Sequence, residues 1–301
     1  MLAPLSVPGV AKQQPVRQQP AGADEREKHL RERGCDKVEL CGHGGEAIVI
    51  RVYIYEMNND VLTACYDEYL AVLPEWRRES CERMRFERGK LEELAAGLLL
   101  RHALKEAGID LAGAHVEKNE HGKPAIVPGT GTTAENGLCA GDGSYAGTTA
   151  EDGLCVGVGS YAGTTGEDGQ RAEVHFNLSH SDGYVTVAVA DCPVGIDIET
   201  KTDPELKISA RFYSEEEQAA VRGAADPQKE FRRIWTRKEA YVKCTGTGLN
   251  VAVSDIPALP ETSGPYRLIT LKEEEAYSLS LVAETDRNPE ILLDTVDAFD
   301  I

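Results

Sequence analysis

The sequence predicts an α+β fold, in which short runs rich in β-branched residues are interleaved with a few amphipathic helical stretches. Two stretches carry most of that expectation. Residues 175–190 (HFNLSHSDGYVTVAVA) read as two strands joined by a Ser-Asp-Gly turn. Residues 227–244 read as a helix opened by Asp226-Pro227, a cap followed by proline at the first helical position, and stopped at Gly246. The regular strand–helix alternation of a doubly wound sheet is absent.

In chain order, residues 1–46 carry Pro4, Pro8, Pro15 and Pro20 and then a charged stretch without an apolar stripe, so a flexible extension is expected. The first strand signal is AIVIRVYIY at 47–55. Between Pro74 and Ala107, Leu91, Leu94, Leu98 and Leu99 recur at helical spacing, with Gly108 placed to end the helix. From Gly131 the chain repeats with a period of 16: GTTAENGLCAGDGSYA, GTTAEDGLCVGVGSYA and the fragment GTTGEDG. So much glycine loses a great deal of entropy on ordering and brings few large apolar side chains, so residues 129–170 are expected to be a mobile insertion rather than a solenoid. After it come the two strands of 175–190, a strand at 194–199, and capping-box spacing at Ser214–Glu217. The helix to about Cys244 and a late strand at 277–283 follow.

The chain of 301 residues carries a formal net charge of −19, which argues against non-specific binding to a phosphate backbone; no nucleic-acid partner is expected. That charge is uneven: residues 129–170 hold six acids and no Lys or Arg, and residues 255–301 hold eleven acids and three bases. Residues 77–90 are locally basic, with Arg77, Arg78, Arg83, Arg85, Arg88 and Lys90. No apolar run approaches a membrane span, and residues 1–23 do not read as a secretory signal, so a soluble, cytoplasmic protein is expected. Eight cysteines form no CxxC pair, and Cys35-x5-Cys41-x-His43 lacks a second ligand pair, so reduced thiols are expected and zinc is not.

The chemistry concentrates in two segments. In Gly195-Ile196-Asp197-Ile198-Glu199, strand alternation puts Asp197 and Glu199 on one face and both isoleucines on the other. Two like charges side by side call for a cation. On the helix, Trp235, Glu239 and Lys243 recur at i, i+4 and i+8 and share a face. If strand and helix meet, Asp197, Glu199 and Glu239 make an all-oxygen site suited to magnesium, with Lys243 alongside to neutralise phosphate. Ser179-His180 is not a nucleophilic dyad: neighbours on an extended segment point apart, and no Gly-x-Ser-x-Gly elbow surrounds them.

Taken in order, Gly122-Lys123-Pro124, Phe176-Asn177-Leu178-Ser179-His180, Gly195–Glu199 and Trp235-x-x-Lys238-Glu239-Ala240-x-x-Lys243 closely resemble the Sfp-type 4'-phosphopantetheinyl transferase family. The resemblance spans about 47–128 and 171–285. It implies a pseudo-dimer of two similar lobes with the active site at their interface: 47–190, carrying the 129–170 insertion, and 191–301. It implies transfer of the phosphopantetheine arm of coenzyme A to a serine of an apo acyl or peptidyl carrier protein, with release of adenosine 3',5'-bisphosphate. Asp197, Glu199 and Glu239 look like the magnesium ligands. Glu239 looks like an aid to deprotonating the carrier serine, and Lys243 like the group that stabilises the leaving phosphate. Gly122, Lys123 and Pro124 would border the adenine nucleotide, and Ser179 and His180 the 3'-phosphate region. Glu92 stands where the family commonly has a basic residue, with Arg85, Arg88 and Lys90 nearby. A monomer is expected. The alternatives are a non-catalytic coenzyme A or carrier-binding module of the same fold, and a magnesium-dependent phosphodiester hydrolase.

Overall fold

Four layers position the site: helices, a seven-stranded sheet, a four-stranded sheet and a second long helix. The computed structural model describes residues 48–109, 111, 114–118, 124–128, 157–165, 171–203, 206–247 and 252–299; for 114–118, 124–128, 157–165 and 171–173 it describes the backbone only. The N-terminal 1–46, Gly122, Lys123 and residues 129–156 of the repeat lie outside the described residues.

Strand β1 is Val49–Glu56, and three short helices follow: α1 (Asn59–Ala64), α2 (Tyr66–Ala71) and α3 (Glu75–Arg83). The leucine-rich stretch becomes α4 (Glu87–Glu106), which buries Leu91, Leu94, Leu98 and Leu99. Gly108 at φ +77° closes it, as the Ile109 and Gly108 amides reach back to the Leu104 and Lys105 carbonyls. Strands β2 (Ala114–Lys118), β3 (Pro124–Pro128), β4 (Gly157–Thr165), β5 (Arg171–Ser181) and β6 (Tyr184–Ala190) come next. The β5–β6 turn is Asp182-Gly183, both at positive φ, the left-handed pair a tight two-residue hairpin needs.

Strand β7 is Val194–Glu199, followed by α5 (Lys207–Phe212), α6 (Glu215–Gly223) and α7 (Pro227–Thr245). The capping box at Ser214/Glu217 forms, and Asp226 caps α7 with Pro227 in its first turn and Gly246 in the left-handed conformation beyond its end. Strands β8 (Thr262–Ser263), β9 (Tyr266–Glu273), β10 (Ser278–Glu284) and β11 (Glu290–Thr295) complete the chain.

The first sheet runs β11-β1-β6-β5-β4-β3-β2 and the second β7-β10-β9-β8. Two departures from the sequence reading are instructive. Strand β4 lies inside the segment read as an insertion and pairs with β5 and β3. Val156 to Gly159 alternates valine with glycine, and the β5 edge offers the strand backbone partners. Strand β11, near the C-terminus, returns to the first sheet and pairs parallel with β1.

One face of the first sheet packs on α1–α4 through Tyr53, Leu94, Leu99, Phe176 and Val187. Its other face packs on the second sheet, where Ile50, Val52 and Ala188 meet Ile196, Ile198, Leu279 and Leu281. Helix α7 covers the far side of the second sheet through Ala240, Cys244, Leu268 and Val282. No helix among the described residues is long and apolar enough to cross a membrane.

Candidate active site

The site lies at the free edge of the second sheet. β7 is a buried edge strand whose outer side faces β5 of the first sheet. Every second residue of β5 answers it. Asn177 Oδ1 accepts from the Ile196 amide at 2.6 Å, Ser179 Oγ donates to Asp197 Oδ1 at 2.9 Å, and Ser181 Oγ donates to Glu199 Oε1 at 2.8 Å. The strand period of two puts all three on one face, while Leu178 and His180 point to α4. Ser179 and His180 therefore diverge, as their adjacency on a strand requires.

Helix α7 brings the other half. Its contact with β7 is backbone to backbone at Gly195, and Lys243 then reaches across the strand. Lys243 Nζ donates to Asp197 Oδ1 at 2.7 Å and to Ser179 Oγ at 2.8 Å, closing a buried triangle of lysine, carboxylate and hydroxyl. Lys243 thus offers its charge to Asp197, while Glu199 is held by Ser181 and the Thr200 and Lys201 amides. Asp197 and Lys243 are 3% and 1% exposed, so the pair is satisfied in a place where an uncompensated charge would be costly.

Glu239, one turn before Lys243 on α7, is also buried. Burial, together with the charge of Asp197, pushes its carboxyl up to about 7; Lys243 opposes the shift. Burial likewise raises Asp197 to about 6, against the pull of the Lys243 ammonium. Glu199 adds to the repulsion on both. The negative charge of Glu199 thus disfavours ionisation of Asp197 and Glu239, and that of Asp197 disfavours ionisation of Glu239. Among the described residues, however, no three His, Cys, Asp or Glu side chains are gathered closely enough to hold one ion as they stand.

Glu92 does sit beside His180: Glu92 Oε2 is 3.6 Å from His180 Nδ1, and Arg88 joins Glu92 to Asp182 at the hairpin tip. Burial holds His180 below the usual imidazole range, with Glu92 opposing. Its Nε2 is buried and has no hydrogen-bond partner among the described residues. Of the expected nucleotide-bordering residues, Pro124 opens β3 opposite Lys118, while Gly122 and Lys123 lie outside the described residues.

Sequence reasoning missed Asn177 and Ser181 as partners of β7. The signal was there, since Asn, Ser and Ser recur at every second residue from 177 to 181, alternating with Phe176, Leu178 and His180. It also left Lys238 unassigned. That lysine is fully buried on the other side of α7, where Nζ meets Glu217 Oε2 at 2.8 Å and the carbonyls of Val253 and Ile256 at 2.8 and 2.6 Å.

Residues 193–293 match the 4'-phosphopantetheinyl transferase superfamily. A 4'-phosphopantetheinyl transferase of Bacillus pumilus is 37% identical over 120 residues, 36% of this chain and 52% of that protein. One from Bacillus subtilis is 24% identical over 248 residues, covering 78% of this chain and 92% of the relative. The Sfp protein of Bacillus subtilis strain 168 is 29% identical over 131 residues, 39% of this chain and 58% of its own length. The chain thus spans about half the length of the Bacillus pumilus relative that it matches. The β7–β11 region of the chain is thus similar to the 4'-phosphopantetheinyl transferase superfamily, and the named relatives carry the same description.

Proposed function

We propose that the protein transfers the 4'-phosphopantetheine arm of coenzyme A to a serine hydroxyl of an apo acyl or peptidyl carrier protein, in a magnesium-dependent reaction. The observation that carries this reading is the convergence of two sequence-distant motifs on one spot: Asp197 of β7 and Lys243 of α7 share a 2.7 Å bond beside the buried Glu239. The relatives named as phosphopantetheinyl transferases support the same reaction.

The donor set suits a hard divalent cation: three carboxylates, two of them with raised pKa because burial and neighbouring negative charge disfavour ionisation. Asp197, Glu199 and Glu239 would hold the ion, drawing together from their present spacing. When bound, the ion supplies neutralisation of the coenzyme A pyrophosphate. Lys243 adds a fixed positive charge against the phosphate that leaves. Glu239, with a carboxyl near 7, is matched to take the proton of the incoming serine hydroxyl at neutral pH. His180 Nε2, buried without a partner among the described residues, is suited to meet a polar group of the nucleotide. The nucleophile belongs to the carrier, which is why the chain needs no triad of its own. We take the working form to be a cytoplasmic monomer.

The test is incubation with apo carrier, coenzyme A and magnesium, read by mass spectrometry of the carrier. The expected result is a gain of one phosphopantetheine arm, lost in Asp197→Ala and Glu239→Gln. No gain across fatty-acid, polyketide and peptide carriers refutes the reading. Coenzyme A binding without any turnover would instead mark a non-catalytic binding module.

A further inference from the structure

We propose that His180 sets nucleotide specificity: its buried Nε2 accepts a hydrogen bond from an uncharged donor, a ribose hydroxyl, so that the protein takes 3'-dephospho-coenzyme A as readily as coenzyme A. His180 is 6% exposed, and its Nε2 is buried with no hydrogen-bond partner among the described residues. A buried ring nitrogen left open in this way calls for a partner from outside. The other ring nitrogen decides which kind. Nδ1 lies 3.6 Å from Glu92 Oε2, where a bare lone pair would meet a negative charge, so the ring proton belongs on Nδ1. Burial holds the imidazole below its usual range; Glu92 and Glu93 oppose that shift, and Lys243 and Arg77 assist it. A neutral imidazole has one N–H, and with it on Nδ1 the Nε2 atom is an acceptor.

The surrounding charge argues the same way. Arg77 Nη2 meets Glu93 Oε2 at 2.9 Å and the Glu93 carbonyl at 2.6 Å. Arg88 Nε meets Glu92 Oε1 at 2.9 Å, and its Nη2 is bonded to Asp182. Lys243 is committed to Asp197 and Ser179. Two guanidinium groups thus face three carboxylates. A phosphate monoester brings a charge of about −1.5 to −2 at pH 7, which this cluster does not offset. A hydroxyl brings a donor and no charge. Glu92 is therefore a positioning residue: anchored by Arg88, it fixes the tautomer of His180 and repels an anion.

Because this role rests on the transferase reading and on the nucleotide meeting His180, its test has two arms. In the first, kcat/KM for transfer to an apo carrier is compared between coenzyme A and 3'-dephospho-coenzyme A, for wild type and Glu92→Gln. The expected result is equal use of the two donors by wild type, with Glu92→Gln shifted toward coenzyme A. A wild-type preference for coenzyme A of about 10–100-fold, the worth of one charge-assisted hydrogen bond, overturns the proposal. An unshifted ratio in Glu92→Gln overturns the role of Glu92. Transfer from neither donor defeats the transferase reading instead, and the second arm then decides. There, long-range 1H–15N NMR of the full chain with 15N-labelled histidines reads the His180 ring without ligand, its signals identified by their loss in His180→Asn. The expected ring is neutral and protonated on Nδ1. A proton on Nε2, or an imidazolium, at pH 7 overturns the proposal. If His180→Asn does not fold, His180→Gln makes the assignment.

Discussion

Gly195 and Ala240 stand so close that a Cβ on Gly195 would lie 2.1 Å from the Ala240 carbonyl oxygen, and 2.4 Å from the Cys244 amide nitrogen. Both obstacles are backbone, which cannot turn aside as a flexible side chain can. This contact sets how near α7 approaches β7, and so whether Lys243 reaches Asp197.

Gly195→Ala should therefore push α7 off the strand. Overpacking of this kind costs roughly 1–3 kcal/mol or more in stability. The displaced helix should lower phosphopantetheine transfer about a hundredfold, because a shift of about 1 Å is enough to misplace a reacting group. Urea unfolding and the carrier mass assay together check this. Wild-type turnover in the variant would mean that the close approach does not position the site.

Lys238→Met should leave Glu217 charged and buried without its partner, and the Val253 and Ile256 carbonyls without their donor. Breaking a buried pair from one side costs about 3–5 kcal/mol. Lys238→Met combined with Glu217→Gln should recover part of that loss. An unfolding midpoint of the single variant equal to wild type would refute the role of this clamp.

Stability of the metal-free protein should fall as pH rises from about 4 to 7. Asp197 and Glu239 ionise at 3.8 and 4.5 ordinarily but at about 6 and about 7 here. Raised folded-state values mean that the folded state holds protons the unfolded chain has already released. Their contribution is complete below the ordinary values and is lost as pH passes through the raised ones. Glu239→Gln should flatten this decline, and millimolar magnesium should do the same. Parallel stability curves for wild type and Glu239→Gln would contradict it.

Lys243→Met should remove the cation that offsets burial at Asp197, raising the Asp197 carboxyl further. Transfer should drop by about 10² or more, since fixed positive charge at the leaving phosphate is lost. The Asp197 carboxyl followed by NMR, and the transfer assay, report the two effects separately. An Asp197 titration unmoved by the substitution would show that Lys243 does not govern it.

Much of the fold was readable in the chain. Leu91, Leu94, Leu98 and Leu99 lie buried along α4 at the spacing their recurrence implied. The Asp226-Pro227 start and Gly246 stop bound α7, and Asp182-Gly183 makes the hairpin turn. These features are local, set by caps, periodicity and positive φ. Strands β4 and β11 were not readable, because their pairing depends on edges supplied by distant strands: β5 for the first and β1 for the second. The every-second-residue pattern of Asn177, Ser179 and Ser181 was visible, but not what it faces, its partners being on a strand of the other sheet.

The motif Trp235-x-x-Lys238-Glu239-Ala240-x-x-Lys243 divides the two contributions most clearly. Helical spacing in the sequence determined that Glu239 and Lys243 share a face, and strand alternation that Asp197 and Glu199 do. That this face of α7 meets the β7 carboxylates, and what Lys238 binds instead, was decided only by tertiary structure. Lys238 turns about one residue's rotation away from Glu239 and is bound to Glu217 and the 253–256 backbone, whereas Lys243 reaches Asp197. A residue's face follows from the local helix, but what lies opposite that face follows from how closely the glycine at 195 lets the helix and the strand meet.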